Sequence, residues 1–400
     1  MMNIQHDTRQ VEVLRPRESE PEREVGWRPG GTGIAPPAPD FHFFHRIQRA
    51  KALTVGHVGC VHELRNECPV ANAVSTLRAS ASIRLKMSLL HRLPRTEGLE
   101  MRFATFTMSD DPRERVGVCT PDGTSLIDIA QVSEDAGRPR WGDIVSLIAA
   151  AADGLPAWLR TLASDSSARA LSLAEVRLLA PIPRPRKNIF CVGLNYREHI
   201  AEGEFAGEAG ASHPVFPEFF TKAPTCVVAH LDPVPRHAGV TGQLDYEGEL
   251  GVVIGRGGKN IPAGRAFEHV FGYTIINDVT ARDLQHSHKQ WFKGKSLDGS
   301  CPLGPVIVTS DEIPDPSRLR LTTTVNGERR QDASLSQMIF GVAEIIAHLS
   351  KGMTLEPGDV IATGTPSGVG YARKPPGLLE VGDEVAVAID GIGELRNRIG

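Results

Sequence analysis

The chain has 400 residues, 40% hydrophobic and 23% charged, with a formal net charge of -4. That is ordinary for a water-soluble globular protein and long enough for two folded units. The mild negative charge does not favour nucleic acid or an anionic membrane as partner, and no run approaches the roughly 18 apolar residues of a membrane span. Met1 to Gln10 is polar and lacks the apolar core of a signal peptide, so a cytoplasmic protein is expected. The six cysteines (Cys60, Cys68, Cys119, Cys191, Cys226 and Cys301) form no Cys-x-x-Cys pair and are too few for a disulfide framework in a chain of this size. Cys60, His62 and Cys68 fall short of the four spaced ligands that zinc requires.

Residues 1–100 read as a leader. The run from Arg15 to Arg28 is poor in apolar residues and cannot bury enough surface to offset chain entropy. Phe41 to Leu93 carries apolar residues without a period of two or 3.6. Disorder is the expectation for this segment. Alternation begins at Met101-Arg102-Phe103-Ala104-Thr105-Phe106, so a second expectation is a native start at Met101, with the preceding residues mis-assigned.

Residues 101–178 read as a small α+β unit. Strands are expected at Arg102 to Thr107, Val116 to Cys119 and Ser125 to Ile129, and helices at Ile144 to Ala152 and Pro156 to Leu162. Pro181, Pro183 and Pro185 form a stiff connector. Residues 179–400 read as a larger, mainly β domain. Its short Val/Ile-rich strands are Ile189 to Val192, Glu249 to Ile254, Tyr273 to Ile276, Val306 to Thr309, Leu319 to Val325, Val360 to Thr363 and Glu384 to Ile389. Asn326-Gly327 and Asp390-Gly391 are hairpin signals. One helix is expected from Ser336 to Leu349, with Ile339, Ala343, Ile346 and Leu349 on its apolar face. No Gly-x-Gly-x-x-Gly follows a strand, so no dinucleotide site is implied.

Five features carry chemistry. Glu247 and Glu249 share one strand face, where paired carboxylates need a cation or protons between them. Asp278 ends an apolar strand and adds a third acid; an all-oxygen set suits Mg²⁺ or Mn²⁺, with Ca²⁺ as a substitute. Arg282, Gln285, Lys295 and Lys222 supply the positive charge and amide that an anionic oxo acid needs. His199 and Glu202 stand three apart on a helical turn, the arrangement of a carboxylate-oriented general base. The glycine-rich stretch after them reads as a lid. Thr363 to Gly370, with Thr365, offers hydroxyls and backbone N–H groups to an anion. Each feature alone is matched by a plain structural reading: a solvated strand face, a surface charge or a tight turn.

In this order the features resemble the fumarylacetoacetate hydrolase family over about residues 101–400. The matching pieces are Val192-Gly193-Leu194-Asn195-Tyr196, Phe220-Thr221-Lys222, Asp245 to Glu249, Asn277 to Gln285, Gly294-Lys295-Ser296 and Thr363 to Gly368. The resemblance implies a mixed β-roll behind a smaller N-terminal domain, and a homodimer. It implies Glu247, Glu249 and Asp278 as metal carboxylates, and His199 with Glu202 as the acid/base pair. Lys295, Arg282, Gln285, Lys222 and Thr365 match substrate-side positions. The expected reaction is hydrolysis of a C–C bond in a small 2,4-dioxo acid through a metal-stabilised enolate, with Lys295 sharing the charge. The alternative is an isomerase or decarboxylase of a hydroxymuconate- or oxaloacetate-type acid with the same enolate.

Overall fold

A computed structural model describes residues 101–165, 167–206 and 214–400. The expectations for residues 1–100, and for most of the glycine-rich stretch after Glu202, lie outside the described residues. Among the described residues the main strands are β1 (Arg102–Met108), β2 (Arg115–Cys119), β3 (Ser125–Asp128), β4 (Ala170–Ser172), β5 (Ile189–Gly193), β6 (Glu218–Lys222), β7 (Gly248–Ile254), β8 (Val270–Asn277), β9 (Cys301–Thr309), β10 (Arg320–Val325), β11 (Glu328–Ser334), β12 (Val360–Ala362), β13 (Glu384–Ile389) and β14 (Gly393–Arg398). A 12-stranded sheet follows the order β4-β3-β2-β1-β9-β8-β7-β12-β5-β6, with Val176–Leu178 paired to β1 and Val227–Val228 to β9. A four-stranded sheet has the order β11-β10-β13-β14. Pairing is mostly antiparallel, and β12 with β5 is a parallel exception. This is the mainly β, α+β architecture expected from the sequence.

Period-two alternation sorts the large sheet's side chains onto two cores. Leu250, Val252, Tyr273, Ile275, Val306 and Val308 pack in one cluster with Leu321, Val385 and Val387 of the small sheet. Their odd-even partners Val253, Ile276 and Ile307 pack in the other, with Phe103, Val118, Phe271 and the helix Ile144–Ala150. Pairing of Phe103 with Ile307 carries the sheet from the 101–178 segment straight into the later strands.

Three local expectations change. Strand β3 stops at Asp128 because its carboxylate accepts from the Ala130 N–H (2.9 Å) and caps a helix over Ile129–Asp135. The expected helix from Ser336 begins instead at Val342, after Glu344 takes the Gly341 N–H (3.0 Å). Ile339 and Met338 lie before it, with the Ile339 N–H donated to Asn195 O (2.8 Å), so the buried face is Val342, Ile345, Ile346 and Leu349. Pro156 to Leu162 splits into a turn of helix at Ala157–Arg160 and a 3₁₀ turn at Leu162–Ser164. Asn326 and Gly327 both take positive φ (52° and 81°), as a type I′ turn requires, and join β10 to β11.

Candidate active site

The site lies where four strands of the large sheet end together. Gly248, at the start of β7, pairs with Asn277 at the end of β8. Ala362, at the end of β12, pairs with Gly251 and with Cys191 of β5. The chain leaves these ends as the segments carrying Glu247, Asp278, Leu194 and Thr365. A cavity of about 540 Å³ opens there, and Glu247, Glu249, His199, Arg282, Gln285 and Lys295 line it.

Ligand oxygens of Glu247, Glu249 and Asp278 fall within 4.8 Å of one another, and all three residues are buried. Asp278 donates its backbone N–H to Glu247 O (2.8 Å), and the Asn277 side chain accepts the Glu247 N–H (3.0 Å), which locks the two acids together. Lys295 Nζ lies 2.6 Å from Glu247 Oε2 and 2.8 Å from Asp278 Oδ2. Arg282 Nη1 lies 2.7 Å from Glu247 Oε1. Burial works against the charge on Glu247, but Lys295 and Arg282 overcome it and hold the carboxyl at about 2. Glu249 differs. Among the described residues it has no ion pair, and it accepts the Gly364 N–H at Oε2 (2.8 Å). Burial, then the charges of Asp278 and Glu247, push its carboxyl well above the usual range. The cluster thus carries one acid whose charge no neighbouring cation matches. Three buried carboxylates, oxygen donors only, with one unmatched, fit a hard divalent cation.

His199 sits on the helix Arg197–Ala206, and its Nδ1 is 2.8 Å from Glu202 Oε1. A carboxylate only accepts, so the ring proton belongs on Nδ1, leaving the Nε2 lone pair as the base. Glu202 is itself held by the Gly368 N–H at Oε2 (2.7 Å).

Two expectations are corrected. Lys222 does not face substrate. It is fully buried behind Asp278, 2.7 Å from Oδ1, with its remaining protons directed to the carbonyls of Val279 and Lys295. Burial opposes its charge, yet Asp278 outweighs that and holds it as an ammonium. The 363–370 loop does not offer all its amides to a foreign anion either. Three of its N–H groups go to the protein's own carboxylates: Gly364 to Glu249, Gly368 to Glu202 and Gly370 to Asp245. Glycine is required at two of these points. Gly364 has φ 96° and Gly368 φ 105°, and a Cβ on Gly368 would lie 2.0 Å from Arg330 O. Thr365 lines the cavity, but its hydroxyl donates to Gly248 O (3.0 Å) and accepts from Gln331 Nε2 (2.8 Å). Arg282, Gln285 and Lys295 do reach the cavity. Arg282 and Lys295 arrive there paired to Glu247.

The sequence reading assigned no role to several residues the fold brings in. Leu194, Phe220, His286, His288, Trp291 and Tyr371 line the same cavity. Their signal was proximity in sequence to chosen residues: His286 and His288 follow Gln285, and Phe220 precedes Lys222. Asp245 is buried behind Arg282, and nothing in its own neighbourhood announces a partner at Gly370.

Residues 188–400 match the family described as Fumarylacetoacetate (FAA) hydrolase C-terminal. The chain is similar to the oxaloacetate tautomerase YisK of Bacillus subtilis (strain 168), 54% identical over 246 residues, or 62% of this chain and 80% of that protein. Among solved structures it is similar to a fumarylacetoacetate hydrolase from Exiguobacterium antarcticum, with TM-score 0.64 and 44% identity over 75% of this chain and 99% of that one. It is also similar to a 2-hydroxyhepta-2,4-diene-1,7-dioate isomerase from Mycobacterium marinum, with TM-score 0.56 and 34% identity over 75% and 98%. The chain belongs to the fumarylacetoacetate hydrolase family. The activities of these relatives span hydrolysis, isomerisation and tautomerisation of oxo acids. Among the described residues, no helix is long and apolar enough to cross a membrane.

Proposed function

We propose that this chain is an enzyme that interconverts the keto and enol forms of a small 2-oxo acid, as a homodimer using Mg²⁺ or Mn²⁺. The observation that carries the reading is a single cavity lined by both a carboxylate-oriented imidazole and the acidic cluster. Glu247, Glu249 and Asp278 would hold the cation, which when bound supplies a Lewis acid for the charge that develops on the oxo oxygen. His199 Nε2 removes the proton from the carbon next to the oxo group and returns it to oxygen in the enol. Glu202 keeps the imidazole in the tautomer that can do this and balances the imidazolium formed. Gln285 gives its carbonyl to Arg282 Nη1 (3.1 Å), which turns its NH₂ toward the cavity as a donor to the acid. Lys295 spends two of its three protons on Glu247 and Asp278 and keeps one for a developing oxyanion.

Proton transfer is placed ahead of C–C hydrolysis because one base suffices for it and because the similar Bacillus protein is named for a tautomerisation. Cleavage needs the same base to activate water. Incubation with oxaloacetate, followed by the ultraviolet change on enol formation, tests the reading. His199→Ala should lower kcat by roughly 10²–10⁴-fold, the usual range for a general base. Full activity in that variant, or cleavage of acylpyruvates with no tautomerisation of oxaloacetate, overturns it. Sedimentation of native protein as a monomer would remove the dimer.

A further inference from the structure

Arg282 is the cavity residue held most completely from behind, and Asp245 does the holding. Asp245 lies in the two-residue strand Leu244–Asp245, which pairs with Thr280–Ala281 immediately before Arg282. Its carboxylate is fully buried. Oδ1 accepts the N–H groups of Tyr246 (2.9 Å) and Gly370 (2.8 Å). Oδ2 accepts the Tyr371 N–H (3.0 Å) and Arg282 Nε (2.9 Å). The site therefore has one buried group bonded both to a guanidinium and to a loop about 125 residues away in sequence.

The guanidinium is fixed on its other sides as well. Nη1 is shared between Glu247 and Gln285. The ring of Tyr371 covers its face, 4.2 Å from the central carbon. Nη2 lies 2.9 Å from Asp245 Oδ2, yet is aimed so that it makes no hydrogen bond in the protein. That contact is an ion pair between two buried groups, so Asp245 neutralises the guanidinium as well as fixing its plane.

We propose that Asp245 is a positioning residue that couples Arg282 to Tyr371, so that the guanidinium and the aromatic ring meet the substrate as one preset unit. The inference rests on the reading of this cavity as an oxo-acid site, and it adds the residue that sets the acid-binding geometry. Asp245 touches neither the reacting atoms nor the acidic cluster's inner oxygens. It acts through Arg282 and through the backbone of residues 370 and 371. Asparagine at this position keeps the volume but loses the charge and puts an NH₂ in place of one oxygen, where it faces either the N–H groups of Tyr246 and Gly370 or those of Tyr371 and Arg282 donor to donor.

The test is a double-mutant cycle on oxaloacetate tautomerisation with Asp245→Asn, Arg282→Met and the pair, with Mn²⁺ affinity measured on each protein. Asp245→Asn should raise KM by roughly 10- to 100-fold, the worth of one charge-assisted bond, with a smaller fall in kcat. Mn²⁺ affinity should stay within about threefold of wild type, because the three metal carboxylates are untouched. The double variant should be no worse than Arg282→Met alone. Additive losses, or a loss of Mn²⁺ binding equal to the loss of activity, overturn the proposal. If Asp245→Asn does not fold, Tyr371→Leu reads the same unit from its other end: a rise in KM that vanishes in the Arg282→Met background supports the coupling, and an unchanged KM refutes it. Inactivity of the wild-type protein on any 2-oxo acid would instead remove the functional reading beneath it.

Discussion

The two ends of the cavity are built differently. The acidic end belongs to the sheet: Glu249 is on β7, Asp278 follows β8, and both are buried with Lys222 and Lys295 packed around them. The basic end belongs to one helix, Arg197–Ala206, where His199 and Glu202 remain partly exposed (11% and 20%) and Glu202 is tied to the sheet by the Gly368 N–H. Charge is stored in the first end at a cost in solvation, and the fold must match it with ions of opposite sign. The second end costs little to build and is free to be tuned. Stability should therefore report on the acidic end, and rate on the basic one.

The largest effect that sharpens this contrast is at Asp278. Asp278→Ala leaves Lys222 buried against two carbonyls and the Ser300 hydroxyl, with no charge to match it, so unfolding in urea should show a loss of roughly 3–5 kcal/mol, the usual penalty for orphaning one partner of a buried pair. A loss below about 1 kcal/mol would mean the acidic end is not the stiff one.

Next comes pH, where the two glutamates of one strand face should behave oppositely. Glu247 has a folded value of about 2 against an ordinary 4.5. A lowered carboxylate stabilises the fold above its unfolded value and loses that contribution as pH falls from about 4.5 toward the folded one. Glu249 is raised, so the folded state keeps a proton that the unfolded state has released, and stability falls as pH rises above 4.5. Saturating Mg²⁺ should abolish the Glu249 slope and, because Glu247 would hold the same cation, steepen that of Glu247 on the acid side. Denaturation midpoints across pH 2–8, with and without Mg²⁺, separate the two. A single shared slope would break the distinction.

The smallest expected effect is at the basic end. Glu202→Gln should lower kcat roughly 10- to 100-fold by loosening the imidazole tautomer, yet change unfolding free energy by less than about 1 kcal/mol. A stability loss matching that of Asp278→Ala would place Glu202 in the rigid core instead.

Much of the acidic end was legible in the sequence, because period two puts Glu247 and Glu249 on one face and a lone acid after an apolar strand stands out. The base pair was legible for the analogous helical reason. What stayed hidden was direction along the third dimension. A lysine two residues from Phe220 reads the same whether it faces the cavity or, like Lys222, backs Asp278. The Thr363–Gly370 loop advertises free N–H groups, and only the fold shows that Glu249, Glu202 and Asp245 already occupy three of them. Asp245 lay in plain view beside Glu247, but its partners are far along the chain, and sequence-local patterns do not reach them. The helix start moved from Ser336 to Val342 for the same reason, since a tertiary bond from Ile339 to Asn195 overrides local periodicity.

All of this depends on a cation at the unmatched acid. Titration of metal-stripped protein with Mn²⁺, read calorimetrically, tests that directly in wild type and in Glu249→Gln. One ion per chain bound with proton release in wild type, and at least a tenfold weaker affinity with no proton release in the variant, is the predicted result. Equal affinity in the two proteins, or no binding by wild type, would contradict it.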